Sequence, residues 1–298
     1  MYEIFDVSMC KPLGYVTTGA RKKEWIELDG KPWLFKEAKN PETFEFVVEK
    51  IAYELTKPLG LSHAVTELAL YNGRIGSISQ SVLADRQGWK LLEFKNLVKA
   101  EFGFRTDSDN TWYKDHSMTY NTKMIKDVMN SIKPKIFDSF VQAMLFDFLI
   151  SNSDRHHSNW GVLRNLRFGE KEFCPLYDSG SGLFSTVPKS TVVKMLASKN
   201  IRDYITGAKS MVRYGNSDTT NFKTLLDGLA KDCYGIAKLF ALEINKHWTD
   251  DFLHDIVYGV GNLVTDERKI LMLKLLINSK AVLFKSCGIM TVFSEVRV

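Results

Sequence analysis

The sequence predicts an α+β fold in two lobes, a small strand-rich front and a larger helical rear, with a cleft between them. Three observations carry this reading. Asp29-Gly30 and Asn72-Gly73 each separate two apolar-alternating runs in the first third of the chain, and such dipeptides are the strongest short-range hairpin signals. From residue 137 onward, apolar residues recur at the i, i+3, i+4 spacing of helices. The 298 residues, 45% apolar and 25% charged, are ordinary globular usage at a length suited to one large domain or two lobes. The boundary is expected near residue 83, giving lobes 1–83 and 84–298.

The elements follow in order. Residues 13–18 read as a short strand ending at Gly19. Residues 24–28 and 31–37 form the first hairpin, with Trp33 and Phe35 on one face and Leu34 and Lys36 on the other. Residues 43–57 read as a helix, because Phe44, Val47, Val48, Ile51, Ala52 and Leu55 share one side; Pro58 and Gly60 stop it. Residues 65–71 and 74–79 form the second hairpin. The stretch 84–134 is less regular and includes a polar insert, 106–121, that reads as a loop or lid. Phe137, Phe140, Val141, Met144, Leu145, Phe148 and Leu149 mark a helix with a wide apolar face. Further helices are expected at 222–232, 234–246, 250–258 and 266–279.

Composition excludes several function classes. The net charge of +5 is mild, and no basic tract exceeds Arg21-Lys22-Lys23, so nucleic-acid binding by this chain alone is not expected. Cys10, Cys174, Cys233 and Cys287 lie far apart without a C-x-x-C pair, which argues against a zinc ribbon, a thioredoxin-type site or a disulfide framework. Reduced thiols in the cytoplasm are the expectation. The first residues lack an apolar signal core. The longest apolar runs are broken by Asp147 and Lys274, well short of the roughly 20 residues that span a bilayer.

The segment 150–161 reads I-S-N-S-D-R-H-H-S-N-W-G, and Leu176-Tyr177-Asp178-Ser179-Gly180 follows after a short apolar hairpin. Phosphoryl transfer needs a carboxylate to orient a hydroxyl and accept its proton, and hard oxygen ligands to hold Mg²⁺ against nucleotide phosphates. Asp154 suits the first task, and Asn159 and Asp178 the second. Pairing of 160–163 with 173–176 would bring Asn159 and Asp178 to one end of a hairpin. Lys36, on its strand, is placed to reach the nucleotide phosphates as a point charge. Glu45, Glu49 and Glu54 on the following helix are candidates to orient it; Glu49, near the middle, is preferred. Thr18, Gly19 and Ala20, in the loop T-T-G-A-R-K-K, are small enough for backbone N–H groups to approach phosphate. Residues 80–84, with Gln80 and Val82, are the expected hinge whose backbone meets the adenine edge. His156 reads as a structural hydrogen-bonder of the loop, and Arg155 as either an anchor for a carboxylate or a solvated charge.

These residues resemble a family. S-N-S-D-R-H-H-S-N-W-G with L-Y-D-S-G-S-G-L is similar to the catalytic and metal-binding signatures of HipA-like serine/threonine kinases. T-T-G-A-R-K-K, W-L-F-K-E and V-V-E-K-I-A-Y-E-L-T-K-P-L-G-L resemble their nucleotide-binding lobe. The resemblance implies a bilobal protein-kinase-like fold, ATP with Mg²⁺, and transfer of the γ-phosphoryl group to Ser or Thr of a protein substrate, with autophosphorylation and a regulatory partner protein as further expectations. It implies Asp154 as catalytic base, Asn159 and Asp178 as metal ligands and Lys36 as the phosphate contact. Few residues precede the front loop, which predicts a compact form without the extra N-terminal subdomain of fuller members. D-R-H-x-x-N also resembles, more distantly, the phosphoinositide-kinase loop. A lipid or small-molecule kinase, or a nucleotide-binding pseudokinase, therefore stays as an alternative.

Overall fold

The computed structural model of the chain describes residues 1–15, 22–38, 40, 42–102, 120–197, 201–215 and 219–289. The loop residues Thr18, Gly19 and Ala20 lie outside the described residues, as do positions 106–119 of the polar insert.

The front is a six-stranded sheet carrying one helix. Its strands are β1 (Ile4–Asp6), β2 (Lys11–Pro12), β3 (Lys23–Leu28), β4 (Lys31–Glu37), β5 (Thr66–Tyr71) and β6 (Arg74–Gln80), in the order β1-β5-β6-β4-β3-β2, and helix α1 (Glu45–Thr56) joins β4 to β5. Both hairpin turns have two left-handed residues, Asp29 and Gly30 (φ 51° and 71°) and Asn72 and Gly73 (φ 50° and 75°), as a tight type I′ connection requires. Trp33 and Phe35 of β4 join Val7, Ile26, Ala69, Tyr71 and Ile78 in a small outer cluster. The intervening Lys36 points to the other face and reaches α1. Strands β4 and β6 approach so closely at Gly76 that a Cβ there would lie 2.3 Å from the Lys36 carbonyl oxygen. Any side chain at Gly76 would push the lysine strand aside.

The rear contains β7 (Trp89–Glu93), α2 (Phe94–Phe102), α3 (Thr122–Ile132), α4 (Pro134–Leu149), β8 (Gly161–Asn165), β9 (Lys171–Phe173), α5 (Lys189–Ala197), α6 (Ile201–Gly207), a short pair β10 (Lys209–Ser210) and β11 (Thr220–Asn221), and then α7 (Phe222–Asp232), α8 (Tyr234–His247), α9 (Asp250–Tyr258) and α10 (Asp266–Ser286). Asn121, Asn221 and Thr249 cap α3, α7 and α9 by accepting a backbone N–H. Helix α4 is the centre of the core: Phe140, Val141, Phe146, Phe148 and Leu149 are all buried. The main apolar cluster runs from Phe44, just before α1, through α1 and α4 to Phe284 in α10, so α1 packs on the helical core as well as on its own sheet.

Several elements depart from the sequence expectation. The strand expected at 13–18 is replaced by Lys11–Pro12; residues 13–15 belong to no strand, although the Leu13 N–H still donates to the Trp25 carbonyl (2.8 Å), and 16–18 lie outside the described residues. Strand β1, unexpected, pairs parallel with β5, Phe5 opposite Ala69. It is three exposed residues with no turn to announce it. The irregular stretch contains β7, α2 and α3, and β7 pairs with β8 rather than with a sequence neighbour. Helices α5 and α6 were also unannounced. Helix α10 runs on past Ser279, because Ala281, Val282, Leu283 and Phe284 remain buried. Among the described residues, no helix is long and apolar enough to cross a membrane, and all four cysteines are free thiols.

Candidate active site

The site begins with a lysine held between two carboxylates. Lys36 Nζ donates to Glu49 Oε1 and to Asp178 Oδ1, each at 3.0 Å. Lys36 is 5% exposed and Glu49 1%; the Asp178 side chain, at 25%, is the open side of the cluster. Burial alone would lower the lysine pKa, but Asp178 and Glu49 outweigh it and hold the ammonium above its ordinary range. Of the three candidate glutamates, Glu49 is thus the partner. Glu54 turns instead to Lys50 and Lys57, and Glu45 is buried against the turn at Gly180. Glu49 also accepts the backbone N–H of Ser179 (3.3 Å). Its carboxylate therefore fixes the D-S-G turn as well as the lysine. Asp178 sits at φ 58°, in the left-handed region that Asp tolerates better than bulkier residues. A Cβ at Gly180 would meet the Glu45 carbonyl at 3.0 Å and Glu49 Oε1 at 3.2 Å, so the glycine lets the turn lie against α1.

The second half is a buried scaffold around Arg155. Its guanidinium donates to Asp147 through Nε (2.8 Å) and Nη2 (2.9 Å), in the planar two-bond geometry that suits carboxylates. Nη1 donates to the backbone carbonyls of Asn159 (2.7 Å) and Tyr177 (2.6 Å). One side chain thus ties the loop holding Asn159 to the residue before Asp178. Asn152 Nδ2 adds a third bond to Asp147 (2.8 Å). Burial opposes the Arg155 charge, yet Asp147 holds its pKa above the usual value. Asn159 Nδ2 donates to the Asp154 carbonyl (2.8 Å), which fixes the amide with its Oδ1 as the other terminal atom. His156 Nδ1 accepts the Ser158 N–H (3.1 Å), a loop-shaping role. The Asp154 carboxylate is half-buried and makes no hydrogen bond or ion pair among the described residues.

His63 extends the scaffold to the front. Its Nδ1 donates to the Ala64 carbonyl (2.8 Å), which leaves Nε2 to accept from the Ser179 hydroxyl (3.3 Å). Ser179 Oγ in turn accepts from Arg155 Nη2 (3.3 Å). Burial is the main cause that lowers the His63 pKa to about 4; Arg155 and Lys36 add to it, against the Ala64 bond. The unfolded chain takes up a proton near the ordinary histidine value of about 6.5. His63 therefore contributes stability above that pH, and the contribution is lost as pH falls through about 4. Chemical denaturation from pH 6.5 to 4 is expected to show a steeper loss for the parent than for His63→Gln; parallel curves would remove His63 from the balance.

The structure thus brings together Lys36, Glu49 and Asp178 directly, and Asp154 and Asn159 with them through Arg155. Gln80 and Val82 line a cavity of about 140 Å³ with Ser81, Asp85, Pro175 and His63, whose Nε2 reaches Ser179 beside Asp178; Lys36, Glu49 and Asp178 are not in its lining. Gln80 pairs in register with Trp33 on the outer face of the sheet. Sequence reasoning missed Asp147, Asn152 and His63. Asp147 carried a signal: it is a carboxylate in the middle of an otherwise apolar helical run.

A family model for the HipA-like C-terminal domain matches residues 16–234. The chain belongs to this family. A curated relative of this HipA-like chain, serine/threonine-protein kinase CtkA of Helicobacter pylori, is 26% identical over 232 residues, covering 74% of this chain and 69% of the relative. The crystal structure of the H. pylori proinflammatory kinase CtkA matches with a TM-score of 0.77 at 20% identity, covering 96% of this chain and 97% of that one. The Shewanella oneidensis HipA complex with HipB and its operator DNA matches more loosely, with a TM-score of 0.50 at 13% identity over 94% of this chain and 68% of that one. The HipA-like fold, a strand-rich sheet followed by a helical region, is the α+β architecture described above.

Proposed function

We propose that this chain is an ATP- and Mg²⁺-dependent kinase that transfers the γ-phosphoryl group to Ser or Thr of a protein substrate. Membership of the HipA-like family and likeness to a named serine/threonine kinase support the reaction class. The observation that carries it is the convergence on one lysine of a helix carboxylate and a turn carboxylate, beside the D-x-x-x-x-N loop. Residues 1–83 are the nucleotide-binding lobe and 84–298 the catalytic lobe. Thr18, Gly19 and Ala20 cover the phosphates, and the backbone at Gln80 and Val82 meets the base. The free thiols support a reducing, cytoplasmic setting.

The residues fit a hard divalent cation. One ammonium faces two carboxylates in the Lys36 cluster, so the site has an excess of negative groups on its open side at Asp178. The oriented amide of Asn159 adds a neutral oxygen. Among the described residues, no group of three or more His, Cys, Asp or Glu could hold a metal by itself. A magnesium ion held by Asn159 and Asp178 would then complete its shell with phosphate oxygens and water. When bound, it supplies positive charge that neutralises the phosphates. The chain's own contribution is positioning: Lys36 draws the phosphates toward Glu49's helix, Arg155 fixes both loops, and Asp154 orients the acceptor hydroxyl and takes its proton.

The direct test is mass spectrometry after incubation with ATP and Mg²⁺, alone and with protein substrates or phosphoinositides. Phosphorylated Ser or Thr is expected; incorporation only into lipid would shift the acceptor class, and saturable nucleotide binding without transfer would make the chain a pseudokinase. Asp178→Asn is expected to weaken Mg²⁺-dependent nucleotide binding by at least the roughly 10- to 100-fold typical of perturbed metal shells. An unchanged Mg²⁺ titration of nucleotide affinity would remove Asp178 from the metal site.

A further inference from the structure

A second cavity, of about 260 Å³, opens away from the Lys36 cluster, where the residues before α1 meet α5 and the start of α10. Its walls include Phe44, Val192, Leu263 and Val264, and its charged lining includes Lys189 and Arg268. Arg268 is 8% exposed. Its Nη2 donates to the carbonyls of Val187 (2.9 Å) and Glu42 (3.3 Å), and the guanidinium lies 4.6 Å from the centre of the Phe44 ring. Its Nη1 is buried with no acceptor, and no carboxylate lies within ion-pair distance among the described residues. A buried guanidinium without an anion is costly, because desolvation is not returned by a pair. Burial lowers the Arg268 pKa, with Glu42 acting the other way, as expected of an undercompensated cation.

The surroundings add positive field. Three helices begin at this cavity: α1 after Phe44, which supplies no side-chain cap, α5 at Lys189, and α10 after Thr265. Helix starts carry partial positive charge from unpaired N–H groups. Two acids limit the charge of a ligand. Glu42 lines the cavity, and so does Glu267, whose carboxyl is held below its ordinary range by its own backbone N–H and the Thr265 side chain. A compact dianion such as phosphate is disfavoured beside them, and the apolar walls leave a bare ion poorly packed. We propose that this cavity binds a small organic acid, its single carboxylate against Arg268 and Lys189 and its apolar stem along Phe44, Val192 and Leu263. This site is independent of phosphoryl transfer. Arg268 nevertheless grips Glu42, which precedes the helix of Glu49, and Val187, which follows the turn of Asp178, so a ligand here touches segments that lead into the candidate active site.

The test uses the full chain with octanoate and octanol, read by calorimetry and thermal shift. Octanoate is expected to bind saturably and octanol about tenfold or more weaker, the factor for losing one charged contact. Val193 lines the mouth and is 56% exposed, so Val193→Trp should fill the cavity without unfolding the chain and should weaken octanoate by about tenfold or more. Arg268→Gln should do the same, and Val193→Trp keeps the test valid if that variant unfolds. Absence of saturable octanoate binding, equal affinity for octanol, or full octanoate affinity in a folded Val193→Trp chain would each overturn the proposal.

Discussion

An Asp154→Asn chain is expected to bind nucleotide as the parent does while transferring phosphoryl groups slower by about two to four orders of magnitude, the usual worth of a positioned general base. The asymmetry follows from the geometry. The Asp154 carboxylate has no partner among the described residues, so the amide breaks no internal bond. Its backbone carbonyl, which accepts from Asn159 Nδ2 and the His156 N–H, is unchanged. The amide retains size and some hydrogen bonding to the acceptor hydroxyl but cannot take its proton. Nucleotide affinity and label incorporation should therefore separate cleanly. Equal rates in parent and variant would remove Asp154 from the chemistry.

Arg155→Met should be the most damaging change to stability, at about 3–5 kcal/mol, because it strands Asp147 inside α4 without its cation. Both side chains are almost fully enclosed, 3% and 1% exposed. The change also removes donors from the Asn159 and Tyr177 carbonyls. Denaturant midpoints should fall steeply for Arg155→Met and less for the double variant with Asp147→Asn, since the second change removes the unpaired charge. Additive losses would mean that the pair is not the element holding the two loops.

How far the sequence could be read follows from the range of each interaction. Asn72-Gly73 and Asp29-Gly30 were legible because two left-handed residues demand particular side chains. The face of α4 was legible because seven apolar residues keep one helical phase. Glu49 could be preferred over Glu45 and Glu54 but not fixed, because the choice depends on how α1 is rotated against β4. The structure resolves this by giving Glu54 to Lys50 and Lys57. The Asp147–Arg155 pair joins a helix interior to a loop, and no local periodicity encodes it. His63 was invisible for a similar reason: its partner Ser179 is distant in sequence, and the two meet only because residues 62–64 lie along Leu176. Strand β1 was not expected because its pairing, parallel to a distant strand, leaves no trace in three exposed residues.

Those few residues matter for how the molecule can move. Tyr2 donates its N–H to the Gly259 carbonyl (2.6 Å) and its hydroxyl to the Ile256 carbonyl (2.8 Å), at the end of α9, while Ile4–Asp6 are stitched to β5. The same short stretch is therefore riveted to both halves, far in sequence from the covalent connection at 81–88. With the backbone bonds that Ala64 and Ser62 make to Leu176, these fastenings restrict scissor-like gaping and leave twisting as the easier breathing mode. On the proposed function, exchange of a nucleotide would then proceed by torsion of the sheet over the helices, or begin with peeling of this strip.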